Sequence, residues 1–287
     1  AEAMAGAPEA TVHCAGLKSP SESLERPALY HDVNVEGTRR LVAAVAAAGC
    51  RRFVFSSSAA IYSPPERLPI PEDHPLRPGT PYGASKAAAE ALLAEAAAGD
   101  PAWAVASLRY FNPAGAHPAG GLGESPEGPA PNLMPNLVAV AAGESPSLAV
   151  HGGDWPTRDG TGVRDYLHVS DLARAHLAAL DWTGRARGFE AFNLGTGRGV
   201  SVRELAAALA RTSGRDVPLA IGPRRAGDVA SAYADPGKAA LGLGWKAEFG
   251  IAEICATAWA WRLCNEGAEL AGAAQEVLAA AGAKHGN

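Results

Sequence analysis

Cysteine is scarce in this chain. There are four residues, Cys14, Cys50, Cys255 and Cys264, with no Cys-x-x-Cys spacing and no histidine cluster beside them. That pattern excludes a disulfide framework, gives no reason to expect a metal site, and suits a reducing compartment. Long apolar runs are also missing: none approaches the ~20 residues needed to span a bilayer, so no membrane partner is expected. Positive charge is in deficit, with 25 Lys and Arg against 30 Asp and Glu, a formal charge of -5. A broad nucleic-acid surface is thereby excluded, although local Arg pairs remain available to a small anionic ligand. The first ten residues carry neither a basic stretch nor an apolar run, so the expectation is a cytoplasmic chain without a leader. Position 1 is not Met and strand-like residues begin at Thr11, from which a fragment of a longer protein is expected.

What is present is a chain of 287 residues, 47% hydrophobic, enough to bury one large core or two smaller ones. Thr11 to Gly16 reads as a short buried strand ending in a Gly turn, followed by a helix from about Ala28 to Ala48. Arg52 to Ser56 is an apolar run without alternation, as in a parallel strand covered on both faces. A proline-dense loop follows (Pro64, Pro65, Pro69, Pro71, Pro75, Pro78), then a helix from Tyr82 to about Ala98 and a strand from Ala104 to Tyr110. This alternation predicts right-handed βαβ crossovers and a parallel sheet.

From Asn112 to Gly162 the composition turns to Gly, Pro, Asn and Asp, with a helix near Pro135 to Ala142 and a strand Ser147 to Val150. A smaller, loop-rich domain is expected there. Helical periodicity returns over Val169 to Leu180, then a strand Phe189 to Leu194. Ser201-Val-Arg-Glu204 is a capping box opening another helix. Ile251 to Ala281 reads as helical, with a polar end. No internal repeat is found.

The chemistry gathers at Thr80-Pro-Tyr-Gly-Ala-Ser-Lys86. Tyr82 and Lys86, four residues apart near a helix start, share one face, and an ammonium beside a phenol favours the phenolate. Alone the pattern is common in helices where Tyr packs and Lys is solvated. Ser56-Ser57-Ser58 lies at the carboxyl end of a predicted parallel strand, where open α/β sheets place ligands, though three serines also suit a plain strand-to-loop transition. Ser at a strand end, followed by Tyr-x-x-x-Lys on the next helix, is the order of a hydroxyl donor, a phenolic base and a cation. Gly195-Thr-Gly197-Arg-Gly199 superficially suggests a dinucleotide loop, but its spacing and late position argue against it. Gly120 to Gly128 has no strand before it.

Seven runs occur in one order: His13-Cys-Ala-Gly-Leu-Lys18, Phe55-Ser-Ser-Ser-Ala59, Pro81-Tyr-Gly-Ala-Ser-Lys86, Arg109-Tyr-Phe-Asn-Pro113, Asn132-Leu-Met-Pro135, Asp159-Gly-Thr-Gly-Val-Arg-Asp-Tyr166 and Arg224-Arg-Ala-Gly-Asp228. In them the chain, up to about Trp261, resembles the extended short-chain dehydrogenase/reductase superfamily and, within it, the UDP-glucose 4-epimerase family. The resemblance implies an α/β fold: a Rossmann-type doubly wound parallel sheet, N-terminally incomplete, with a smaller α/β substrate domain. Its implied division is 1–111 with 163–192 returning to it, then 112–162 and 193–264 for the UDP-sugar, then a helical tail 265–287.

It further implies NAD as cofactor and UDP-glucose and UDP-galactose as substrates, interconverted through a transient 4-keto sugar. Tyr82 would be the base on the sugar 4-hydroxyl, Ser58 its hydrogen-bonding partner, and Lys86 the residue that binds the nicotinamide ribose and lowers the Tyr82 pKa. Cys14, Ala15, Gly16, Leu17 and Lys18, with Asn34 and Phe111, match positions that line the cofactor. Asn112, Asn132, Leu133, Ala149, Val150, His151, Arg164, Arg225, Asp228 and Ala232 match positions that hold the UDP-sugar, the two arginines on the diphosphate.

The chain also departs from the family. No Gly-x-x-Gly-x-x-Gly turn precedes Thr11, so poor NAD binding and little turnover are expected of the chain as given. Cys14 replaces the usual Phe, and His151 an aromatic that covers uracil. The small Ala232 is expected to leave room for N-acetyl sugars. Ser57-Ser58-Ala59-Ala60 lacks the acidic neighbour a dehydratase needs. A pentose 4-epimerase and a non-catalytic UDP-sugar-binding remnant stay open as alternatives. The helices Ala28 to Ala48 and Tyr82 to Ala98 resemble those that pair in a homodimer.

Overall fold

The computed structural model describes residues 8–62, 64–126, 130, 132–225, 227–266 and 271–280. It divides into two compact units, one of residues 1–111, 173–194 and 234–246, the other of 112–172, 195–233 and 247–287. This differs from the expected division: the returning segment is 173–194 rather than 163–192, and 234–246 also join the first unit. The physical reason lies in main-chain bonding, because Asp235 N donates to Ile70 O at 2.8 Å and Ala234 bridges Ile70.

The first unit is built on a four-stranded parallel sheet in the order Thr11–His13, Arg52–Ser56, Ala104–Tyr110, Gly188–Leu194. The two middle strands are almost wholly buried, as their unbroken apolar runs require. The helix Pro81–Gly99 opens on Thr80, whose side chain accepts from Gly83 N at 3.2 Å, with Pro81 in the first turn where its missing N–H costs nothing. Its alanines allow close approach, and Ala89, Leu93 and Ala97 pack with Val45, Phe53, Phe55 and Trp103. The single helix expected over Ala28 to Ala48 is instead three pieces: Pro27–His31, a π-helical turn Asp32–Glu36, and Gly37–Ala47.

The second unit pairs short strands: Asn112–Ala114 with Tyr166–His168, Leu148–His151 with Leu219–Gly222, and Val163–Arg164 between Ser231–Ala232 and Val200–Ser201. Helices Leu133–Ala141, Val202–Ser213 and Ile251–Glu266 enclose its core around Leu137, Leu205, Leu209 and Ile254. The capping box forms as expected: Ser201 Oγ accepts from Glu204 N at 3.1 Å, and Glu204 returns a carboxylate oxygen to Ser201 N at 2.9 Å. A further helix spans Ala271–Ala280. The expected polar end beyond 280, and Gly128, lie outside the described residues. Among the described residues, no helix is long and apolar enough to cross a membrane, and no three His, Cys, Asp or Glu gather as metal ligands.

Candidate active site

All strands of the first unit run in the same direction, so Cys14, the serine triplet and Phe111 follow the carboxyl ends of three neighbouring strands. This is the edge where doubly wound sheets hold ligands. Ser58 has extended backbone angles and caps the short turn Ala59–Ile61, its Oγ accepting from Ala60 N at 3.1 Å. Tyr82, the second residue of its helix, is 6% exposed, and Ser58 is close enough to act on its phenol. The helix start is tight against that turn, for a Cβ at Gly83 would run into the Ala60 carbonyl oxygen.

The expected effect of Lys86 on Tyr82 is corrected by the structure. Burial holds the Tyr82 phenol above its usual range, and the influence acting downward is the Ser58 hydrogen bond. Helical spacing does put the two residues on one face, but the Lys86 ammonium extends past the phenol to the strand end. There it donates to Ser56 O at 2.9 Å and lies 4.9 Å from the centre of the Phe55 ring. Burial pushes Lys86 down to about 8, with Cys14 and Glu90 acting in the opposite direction. Two carboxylate oxygens of Glu90 are in turn taken by Arg109 (2.6 to 3.1 Å) and one by Ser107 (2.8 Å).

The residues expected at the cofactor form one group here. Asn34, on the π-helical turn, clamps the Leu17 main chain from both sides: Oδ1 accepts from Leu17 N at 2.8 Å and Nδ2 donates to Leu17 O at 3.0 Å. The same amide donates to Ser85 Oγ at 2.9 Å, tying the loop to the Tyr82 helix. Asn34 is thus a positioning residue, and a π-turn is a common way to re-aim such a side chain. A Cβ at Gly16 would stand 2.9 Å from Asn34 Oδ1 and 3.6 Å from Lys86 Nζ, so this loop passes directly over the ammonium. Cys14, Ala15, Gly16 and Lys18 are exposed, while Phe111 is buried, its N donating to Leu194 O at 3.2 Å. A buried ammonium with donors to spare, under an exposed main-chain loop, fits a ribose and nicotinamide.

Sequence reasoning missed two residues of this group. His176, on the helix Val169–Arg185, places Nε2 2.7 Å from Ser56 Oγ, which also donates to Cys14 Sγ at 3.3 Å. Tyr110 contacts the same serine, and burial pushes its phenol up. Tyr110 has a sequence signal, since it directly precedes Phe111 at a strand end; His176 has none. Two open clefts of about 450 and 600 Å³ lie elsewhere in the unit, lined by Arg67, Glu72, Asp235 and Lys238 and by Trp182, Phe192 and Leu241. Neither is lined by Tyr82, Ser58 or Lys86, so the larger volume does not mark the chemistry.

In the second unit Arg164 is the centre. Its Nη1 donates to Val163 O and Val229 O, each at 2.9 Å. Burial holds its guanidinium below the usual range; Asp228 and Tyr166 oppose that, and the like charge of Arg225 adds to it. Arg225 itself bonds Asp228 at 3.0 Å. Two guanidiniums sharing one carboxylate leave an excess of positive charge, the condition for a diphosphate. Ala232 stands in register with Arg164, and Asn112 with Tyr166, its N donating to Asp165 O at 3.0 Å.

The remaining predicted residues are placed differently. Asn132 stands at the start of the helix Leu133–Ala141 without a side-chain capping bond, and its amide donates to Glu124 at 2.7 Å. Val150 is buried in the core and Leu133 packs against it, so their side chains face away from solvent; Ala149 and His151 are exposed. The strand end at His151 is covered by Trp155, which donates to His151 O at 3.1 Å and carries the Arg224 guanidinium 4.2 Å from its ring centre. The Gly195–Gly199 loop spends its donors internally: Thr196 N, Thr196 Oγ1 and Gly197 N bond the Asp165 carboxylate at 2.8, 2.6 and 3.0 Å.

With this geometry in place, residues 1–195 match the NAD dependent epimerase/dehydratase family. A rice protein (Oryza sativa subsp. japonica), UDP-glucose 4-epimerase 2, is 50% identical over 259 residues, covering 90% of this chain. The chain spans 64% of that relative's length, just under two thirds. UDP-glucose 4-epimerase of Bacillus subtilis (strain 168) is 48% identical over 257 residues, 90% of this chain and 76% of the relative. Among solved structures, UDP-glucose-4-epimerase from Stenotrophomonas maltophila, with bound NAD and formylated UDP-arabinopyranose, superposes with a TM-score of 0.90. It is 44% identical and covers 92% of this chain and 80% of its own.

Proposed function

We propose, because the chain belongs to the NAD dependent epimerase/dehydratase family, that it carries the residues by which UDP-glucose and UDP-galactose are interconverted at C4 through a 4-keto sugar. The observation that carries this reading is the pairing of Ser58 with Tyr82 beside the buried Lys86. NAD, when bound, supplies the reversible oxidation at C4. Cys14 to Lys18, Asn34 and Lys86 would hold its nicotinamide ribose. Tyr82 takes the proton of the sugar 4-hydroxyl, and Ser58 holds that oxygen and relays the proton. Burial holds the Tyr82 phenol high and Ser58 alone lowers it in this structure; the positive charge that NAD would bring when bound would lower it further.

Arg164 and Arg225 of the second unit hold the diphosphate, and Asp228 keeps Arg225 in place. The absence of a carboxylate beside Ser58, where Ala59 and Ala60 stand, favours epimerisation over dehydration. Ala232, level with Arg164, is small enough to admit N-acetyl sugars. Four free thiols accord with a cytoplasmic location. A homodimer paired through Gly37–Ala47 and Pro81–Gly99 belongs to the same reading, and a light-scattering mass twice that of the chain checks it.

The decisive test is Tyr82→Phe, assayed for conversion of UDP-galactose with NAD supplied. A loss of about 10²–10⁴-fold, the usual contribution of a positioned base, is expected with UDP affinity unchanged. Undiminished turnover refutes the assignment.

A further inference from the structure

Cys14 is the one cysteine whose surroundings are built to ionise it. Ser56 Oγ donates to its sulfur at 3.3 Å, which leaves the serine oxygen to accept from His176 Nε2 at 2.7 Å, so two donors in series converge on one thiol. The Lys86 ammonium is fixed on the carbonyl of the same serine. Cys14 is exposed, whereas Cys50 and Cys255 are buried. A thiol that is at once electropositive in its setting and open to solvent is the reactive kind, and an apolar burial is the inert kind.

We propose that Cys14 is a covalent modification site, at which the Ser56–His176 pair activates the thiol toward small, soft alkylating electrophiles ahead of every other cysteine of the chain. The proton leaves the thiol to solvent, the thiolate attacks the carbon bearing the leaving group, an S–C bond forms and the carbon–halogen bond breaks with loss of halide. The direction of ionisation agrees: the His176 hydrogen bond lowers the Cys14 pKa most, burial opposes it, and Ser56, the His176 charge and the Lys86 charge lower it further. In Cys255, burial pushes the thiol up to about 12. On the cofactor reading above, an adduct at Cys14 stands under the loop that passes over Lys86 and blocks nicotinamide.

The test is competitive alkylation of the full chain with limiting iodoacetamide, each cysteine quantified by peptide mass spectrometry. Exposed Cys264 is the internal reference. Cys14 is expected to react about tenfold or more faster than Cys264, since rate follows thiolate fraction. His176→Asn and Ser56→Ala should each slow Cys14 severalfold without altering Cys264, while continued protection of the buried Cys50 and Cys255 reports that the chain remains folded. A Cys14 rate no greater than that of Cys264, or one unmoved by both substitutions, overturns the proposal. The alkylation rates are read without NAD, so their failure overturns the activated thiol alone and leaves the cofactor reading, which rests on Tyr82, to its own test.

Discussion

Replacing Lys86 by methionine keeps the length of the side chain while removing its charge, and it is expected to make the protein more stable. Burial pushes Lys86 from its ordinary 10.5 to about 8. Each pH unit of such a displacement corresponds to about 1.4 kcal/mol, so holding the ammonium in the folded chain costs roughly 3 kcal/mol at neutral pH. Methionine gives back part of this gain by stranding the Ser56 carbonyl, worth about 1 kcal/mol, and a net stabilisation of about 2 kcal/mol remains. The sign with pH is fixed by the same displacement. Below pH 8 both folded and unfolded chains carry the charge and the full cost is present. As pH rises from about 8 to 10.5 the folded chain is neutral while the unfolded chain is still protonated, so the wild-type chain gains stability and the advantage of the variant disappears. Urea unfolding followed by circular dichroism, for both chains at about pH 7 and about pH 10.5, measures this difference. A variant less stable than wild type at neutral pH, or a gap that does not close with rising pH, refutes the reasoning.

The buried Glu90–Arg109 pair, both side chains under 7% exposed, yields the opposite result. Glu90→Leu and Arg109→Met should each destabilise by about 3–5 kcal/mol, because each leaves one uncompensated buried charge, whereas the double variant carrying both should cost far less than their sum. Equality of the double with the sum in a denaturant-based mutant cycle contradicts the pairing. Ala232→Tyr should remove turnover of UDP-N-acetylglucosamine while sparing UDP-galactose; a steady-state assay in which both sugars are still converted equally rejects Ala232 as the residue that sets this selectivity.

Much of the fold was legible because its signals are local. Arg52–Ser56 and Ala104–Tyr110 match the expected strands residue for residue, since a doubly covered strand announces itself as an apolar run bounded by turn residues. The capping box at Ser201 and Glu204 is a reciprocal pair within one turn, and it forms as read. What failed depended on distant partners. A helical period cannot reveal the π-turn at Asp32–Glu36, because the reason for it is the Asn34 amide meeting Leu17 and Ser85. Spacing correctly put Tyr82 and Lys86 on one face, yet the pKa of the phenol follows burial and Ser58, which spacing does not report. His176 stands 120 residues from Ser56 in sequence and becomes its neighbour only through the folded strand order.

The contact at Gly83 has an implication for how such a protein can change. There the start of the Tyr82 helix rests on the Ala60 carbonyl with no room for a single methyl group, so the spacing of the Ser58 and Tyr82 hydroxyls is gauged by main chain against main chain. Side chains that leave Gly83 and Ala60 untouched are therefore free to vary without resetting that gauge, whereas any side chain at position 83 has to displace the helix start or the turn that carries Ser58.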